Sequence, residues 1–220
     1  MSARFTAVIL LLLSLLAACK RDQVPAPDSA APVFLITIDT LRADHLPAYG
    51  YKDVETPSLD SFRGDAILYE QAYSHCPLTL PSHTSILTGL LPSEHGTRDN
   101  IGYELPKNIP TIAEVLKRKG YATGAAISAF VLRREGGLNR GFDLYDDTVE
   151  AVGAVRAIGL IQRDGDATRQ VATDWISKQK KPVFFFLHLY EPHTPYSPPE
   201  PFKSKYALPY DGEIARADEI

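Results

Sequence analysis

The chain has 220 residues, with 23 basic against 27 acidic side chains and a formal net charge of −4. No basic cluster exceeds Arg133-Arg134 or the stretch from Lys178 to Lys181, which reads as a solvated helix end, so the charge pattern argues against nucleic acid as a partner. Internal repeats are not evident.

Arg4 opens a short positive region, Phe5 to Leu16 is almost wholly apolar, and Leu16-Ala17-Ala18-Cys19 closes it with small residues before a cysteine. An apolar run of about 12 residues falls short of the roughly 20 that span a bilayer, so the pattern is that of an export signal. Its ending resembles the lipobox of bacterial lipoproteins, which implies cleavage before Cys19 and lipidation of its thiol. A plain secretory leader with an incidental cysteine is the alternative. Residues 1–18 are thus expected to be a signal peptide and 19–32, polar and rich in Pro, Ala and Ser, a flexible tether to the membrane. With Cys19 lipidated, Cys76 is the remaining thiol and no intrachain disulfide can form. The expected location is the bacterial cell envelope, periplasm-facing or extracellular.

Residues 33–220 suffice for one sizeable α/β domain and are few for two. Val33 to Ile38 is a continuous apolar, β-branched run, the pattern of a strand buried on both faces. It ends in Asp39, with Asp44 and His45 close behind. A carboxylate at the end of a buried strand needs a partner, either a metal ion or a helix terminus that it caps. Pro57 to Arg63 reads as a short helix and Ile67 to Tyr73 as a second strand.

Thr79-Leu80-Pro81-Ser82-His83-Thr84-Ser85-Ile86-Leu87-Thr88-Gly89 follows, a hydroxyl-bearing loop running through a proline into an apolar helix. Pro81 is expected to mark the helix start, whose free N–H groups would form an anion site with Thr79 at its mouth. A hydroxyl there suits nucleophilic attack on a phosphate or sulfate ester. A Ser/Thr-rich capping loop without chemistry would read the same way.

Thr111 to Glu114 matches a capping box before a helix that ends at Gly120. Tyr121 to Ser128 reads as a strand, Asp166 to Lys178 as an amphipathic helix, and Pro182 to Leu189 as a further buried strand. Strands alternating with helices predict an α/β fold with a mostly parallel central sheet and helices on both faces. In such sheets function gathers beyond the carboxyl ends of the strands, where His188, Glu191 and His193 fall. A long Pro-rich loop from Pro192 to Pro209 then leads to a helix that Asp211 can cap. That helix lacks a stop signal before Ile220, so the sequence reads as truncated at its C-terminus.

The Val33–Asp44 segment, Thr56-Pro57-Ser58-Leu59-Asp60, Thr79 to Gly89, His95-Gly96 and Glu191-Pro192-His193-Thr194-Pro195 together resemble the N-terminal half of the sulfatase family, within the alkaline-phosphatase-like superfamily. The resemblance implies that Asp39 ligates one divalent metal ion, that Thr79 is both metal ligand and nucleophile, and that His193 binds the substrate anion or serves as acid/base. Sulfatases place Cys or Ser at position 79 and oxidise it to formylglycine. Threonine would give a ketone instead, so attack by the hydroxyl itself is implied, through a covalent threonine intermediate. The family's arginine falls on His83, which the resemblance makes a catalytic candidate beside Thr79 and His193; the second aspartate of its pair falls on Thr40, and its lysine and histidine after the third strand on Ser128 and Phe130. Similarity to phosphonate monoester hydrolases suggests that Asn100 holds the substrate; the Ser82 end of the helix and His95 are expected to bind the anion as well.

The implied activity is metal-dependent hydrolysis of sulfate or phosphate esters. The alternatives are an envelope phospho-group transferase and an inactive anchored binding module. Oxygen ligands favour Ca²⁺, Mg²⁺ or Mn²⁺, and Zn²⁺ would require histidine from elsewhere. The family's remaining Asp-His ligands have no match downstream of Thr79, so the piece up to Ile220 is expected to be inactive alone.

Overall fold

The computed structural model describes residues 31–149 and 161–220; the expected signal peptide, Cys19 and most of the expected tether lie outside the described residues. Four strands form one parallel sheet: β1 (Val33–Ile38), β2 (Ala122–Ile127), β3 (Leu144–Asp146) and β4 (Val183–Leu189), in the spatial order β1-β4-β2-β3. Val33 lies opposite Phe184 and Ile38 opposite Leu189, while Ala122 pairs with Val183 and Ile127 with His188. All carboxyl ends therefore point the same way, which collects the loops after β1, β2 and β4 at one edge.

Among the described residues, seven α-helices accompany the sheet: α1 (Pro57–Arg63), α2 (Thr79–Thr88), α3 (Pro92–His95), α4 (Ile112–Arg118), α5 (Gly165–Ile176), α6 (Phe202–Lys205) and α7 (Pro209–Glu219). Alternation along β4 divides its side chains between two cores. Phe184 and Phe186 face Leu80 and Leu87 of α2 and Ala113 of α4, whereas Phe185 faces Ala172 and Trp175 of α5. Gly124 makes the second contact possible, because a Cβ there would lie 2.6 Å from the Phe185 ring and 2.8 Å from Trp175. The capping box at α4 is formed in both directions, with Glu114 N–H donating to Thr111 Oγ1 (3.2 Å) and Thr111 N–H to Glu114 Oε2 (2.8 Å).

Several expectations need correction. Strand β1 is not buried on both faces: Phe34 and Ile36 are 52% and 58% exposed. It hydrogen-bonds only to β4 and is an edge strand among the described residues, with its outward alternate positions uncovered. Residues 67–73 form no strand; the β-branched and aromatic run is exposed and has no neighbour to pair with. Helix α2 begins at Thr79 rather than Pro81, so Thr79 is its first residue. Helix α7 begins at Pro209, and Asp211 is not its cap. It is buried within the first turn, accepting hydrogen bonds from Tyr51 Oη (2.7 Å) and His45 Nδ1 (2.7 Å). Helix α5, expected over Asp166–Lys178, runs from Gly165 to Ile176 with Asp164 as its cap. Strand β3 has three residues, too few for a periodic signal.

Candidate functional site

The end of β1 sets the first functional side chain. Asp39 N–H donates to Leu189 O (3.0 Å), carrying the ladder one step past the strand, and Thr40 then turns the chain with φ +53°. A β-branched residue in that left-handed region is strained and persists only where its surroundings over-determine it. Here Thr40 Oγ1 donates to Pro192 O (2.5 Å) while Thr40 O accepts from Tyr210 Oη (2.7 Å), tying the turn to the loop after β4 and to α7.

The Asp39 carboxylate is 9% exposed, and burial raises its pKa above the ordinary carboxylate value; His83, His193, Thr79 and the Thr40 backbone pull the other way and do not offset it. Its hydrogen-bonding neighbour is Thr79 Oγ1, which donates to Oδ2 at 3.3 Å.

Thr79 owes its place to the α2 N-terminus. The expected anion site there is mostly engaged: Leu80 N–H donates to Asn100 Oδ1 (2.9 Å), Ser82 N–H to Leu78 O (3.0 Å), and Pro81 has no N–H. Asn100 Oδ1 thus takes up the first free N–H of a helix whose N-cap residue, Leu78, offers no side-chain cap. Thr79, Asn100 and His193 line one cavity of about 190 Å³ together with Ile101, Ala129, Phe130, Val131 and Tyr190. The structure thus gathers three of the sequence-derived site residues, with Asp39 against Thr79.

His193 is fixed by its surroundings. Its ring stacks on Tyr190 (centroids 4.2 Å, 23° between planes), Nδ1 lies 2.7 Å from Thr194 O, and Nε2 lies 3.4 Å from Tyr190 Oη. The carbonyl assigns the proton to Nδ1, so in the neutral ring the Nε2 lone pair faces Tyr190. Burial and the Asp39 charge push the Tyr190 phenol up to about 12, which keeps it a hydrogen-bond donor.

Other expected site residues lie elsewhere. His83 is buried behind Thr79, with Nδ1 2.7 Å from Thr79 O and Nε2 3.0 Å from Thr37 Oγ1. Burial lowers its pKa against the opposing effects of the Thr79 carbonyl and Asp39, so it supports the Thr79 backbone as a neutral ring and does not line the cavity. Ser82 Oγ turns back to Thr79 O (3.0 Å) and is likewise outside the cavity lining. His95 is fully buried between Ser85 Oγ (3.0 Å from Nε2) and Thr97 N–H (3.1 Å from Nδ1), a structural histidine joining α2 to α3. Of the residues after β2, Ser128 is buried against Thr168 Oγ1 (2.7 Å), while Phe130 walls the cavity with the Arg133 guanidinium 3.9 Å above its ring. Ile101 and Val131, which also line the cavity, are apolar and carry no titratable signal that would have singled them out. His188 is fully buried, its pKa pushed well below the ordinary value by burial and then by His83, and its Nε2 lies 3.7 Å from Asp39 Oδ2.

A divalent cation fits this donor set in kind. Asp39 and Thr79 present two oxygens 3.3 Å apart, and the carboxylate is buried with no cationic side chain hydrogen-bonded to it. In number the set is partial, since no group of three or more His, Cys, Asp or Glu among the described residues is placed to hold a metal ion.

A family model, Sulfatase, matches residues 32–218. The steryl-sulfatase of Mus musculus is 34% identical over 131 residues, covering 51% of this chain and 21% of that protein. A sulfatase of Formosa agariphila is 25% identical over 241 residues, covering 92% of this chain and 48% of that protein. The crystal structure of the phosphonate monoester hydrolase of Agrobacterium radiobacter superposes with a TM-score of 0.64 at 22% identity, over 80% of this chain and 44% of that one. The chain spans less than half the length of these relatives. Its parallel sheet, the turn at Asp39 and the helix opening at Thr79 fall within the stretch that the family model matches, and the chain belongs to the sulfatase family.

Proposed function

We propose that this protein is a metal-dependent ester hydrolase that attacks a sulfate or phosphate ester with the Thr79 hydroxyl. The observation that carries the reading is the Thr79 Oγ1 to Asp39 Oδ2 contact at 3.3 Å, set at the mouth of a cavity that Asn100 and His193 also line. Membership of a family whose relatives include a steryl-sulfatase supports ester cleavage at sulfur.

A divalent cation held by Asp39 and Thr79 would lower the pKa of the hydroxyl and draw charge from the ester. Thr79 Oγ1 passes its proton to Asp39 Oδ2 as it forms a bond to sulfur or phosphorus. The bridging oxygen departs with the bonding pair and takes up a proton from His193 in its imidazolium form. The Asn100 amide nitrogen donates to a non-bridging oxygen as charge develops. Water then attacks the same sulfur or phosphorus atom, its proton passing to His193, and Thr79 leaves as the free hydroxyl by taking back the proton held on Asp39.

Position 79 favours phosphorus as the second reading. Threonine cannot supply the hydrated aldehyde of formylglycine, and an acceptor alcohol in place of water would make the protein a transferase. Purified full-length protein offered an aryl sulfate and an aryl phosphodiester is expected to release product from at least one of them, with an added acceptor alcohol leaving the hydrolytic rate unchanged. Release from neither substrate, with the protein folded and metal supplied, would leave the binding-module reading in its place.

Residues 1–18 and 19–32 are proposed as lipoprotein signal and tether, which would hold the domain at the cell envelope. Cys19→Ala is expected to move the protein from the membrane to the soluble fraction or to leave its precursor uncleaved, because stable anchoring needs the acyl chains. A Cys19→Ala protein that is processed normally and stays on the membrane would refute the anchor.

A further inference from the structure

His188 is 0% exposed, and neither of its ring nitrogens has a hydrogen-bond partner. Its place follows from register. It lies opposite Thr37 on β1 and Ile127 on β2, on the same side of β4 as Phe184 and Phe186, so its ring enters the layer covered by α2. There it meets His83 edge-on with centroids 4.9 Å apart. His83 has partners for both of its own nitrogens in Thr79 O and Thr37 Oγ1. A neutral imidazole carries one donor and one acceptor, and leaving both unmet in a protein interior is costly, whereas an apolar ring of similar size would fill the position without that penalty. Such a residue calls for a use. The polar atom before Nε2 is Asp39 Oδ2 at 3.7 Å, just outside hydrogen-bond reach.

We propose that His188 is a positioning residue for the cation site, donating Nε2–H to Asp39 once that carboxylate engages a divalent ion and so fixing its rotation beside Thr79. The inference rests on the reading of Asp39 as a cation ligand given above. It assigns a buried side chain outside the substrate cavity, and outside the residues that the family resemblance supplied. Donors behind a ligating carboxylate typically matter by about 10–100-fold in metal affinity.

The test uses full-length protein, stripped of metal and titrated with Ca²⁺ and Mn²⁺ by calorimetry, alongside thermal unfolding of the stripped form. His188→Phe is expected to leave the metal-free melting temperature unchanged or raised while weakening cation affinity roughly 10–100-fold. His188→Gln places an amide nitrogen near the Nε2 position and should recover most of that affinity. A His188→Phe protein that melts lower when metal-free but binds cation within twofold of wild type would show that the ring serves packing alone. Should His188→Phe fail to fold, Gln and Asn decide: Asn carries its amide nitrogen nearer the Nδ1 position, so affinity retained by Gln and lost by Asn supports the proposal, and equal affinities overturn it. A wild-type protein that binds no divalent cation would instead overturn the cation reading itself, and this inference with it.

Discussion

Thr79→Val is expected to abolish turnover, with a fall on the order of 10³-fold or more in kcat, as removal of a covalent nucleophile produces. Valine keeps the β-branched shape, and position 79 is the first residue of α2, where the hydroxyl makes its bond to Asp39 rather than to its own helix. The buried side chains that hold α2 in place, Leu80 and Leu87 in the main core and His83 against Thr37, are untouched by the change. The melting temperature of Thr79→Val should therefore stay within a few degrees of wild type. Thr79→Ser, which restores the hydroxyl without the methyl, should retain part of the rate. Steady-state kinetics on full-length protein, with circular dichroism as a folding control, measures both. A Thr79→Val protein that turns over at the wild-type rate would reduce Thr79 to a helix-end residue.

Asp39→Asn is expected to separate activity from stability. The carboxylate is buried, its pKa is raised by that burial, and its hydrogen-bond donors, the Thr79 hydroxyl and the Thr40 backbone, are neutral. Asparagine keeps an oxygen that can accept from Thr79 and removes a charge that the metal-free interior disfavours. The metal-free variant should be as stable as wild type or more stable, by roughly 1–3 kcal/mol, the usual penalty of a poorly satisfied buried polar group. Cation affinity should fall by more than the ~10–100-fold attached to outer partners, and activity with it. Denaturant unfolding of the stripped proteins and calorimetric titration provide the two readouts. Loss of stability together with unchanged cation affinity would make Asp39 a structural residue of the turn at Thr40.

The sequence reading reached far where a local signal had one cause. The capping box at Thr111 and Glu114, the apolar run of β4 and the periodicity of α5 each predicted an element that is present, and the alternation of strands and helices predicted the parallel sheet. It failed where apolar character had no tertiary partner. Ile67, Tyr69 and Tyr73 have strand-forming side chains, yet strands exist only in pairs, and nothing among the described residues pairs with them. Phe34 and Ile36 spell a doubly covered strand and lie exposed at an edge.

The site divides along similar lines. Asp39, Thr79, Asn100 and His193 come from motifs, and the structure sets them around one cavity or against it. His83, His95 and Ser82 share those motifs, but their polar atoms are taken up by the structure itself: Ser82 and His83 bond back to the Thr79 carbonyl one turn earlier, and His95, on the next helix, bonds Ser85 and Thr97. Asn100 adds a detail that no spacing reveals: its side-chain oxygen accepts from Leu80 N–H and so occupies part of the helix-end anion site that the sequence led us to expect.

The central claim is that the Thr79 oxygen becomes bonded to the substrate's sulfur or phosphorus. Rapid acid quench of full-length protein during turnover, followed by proteolysis and mass spectrometry of the peptide containing Thr79, tests it directly. The account predicts an added sulfo or phosphoryl group on Thr79 that decays with the kinetics of product release and is absent in Thr79→Val. An unmodified Thr79 peptide throughout a burst of product formation, or the same adduct on another residue, would contradict it.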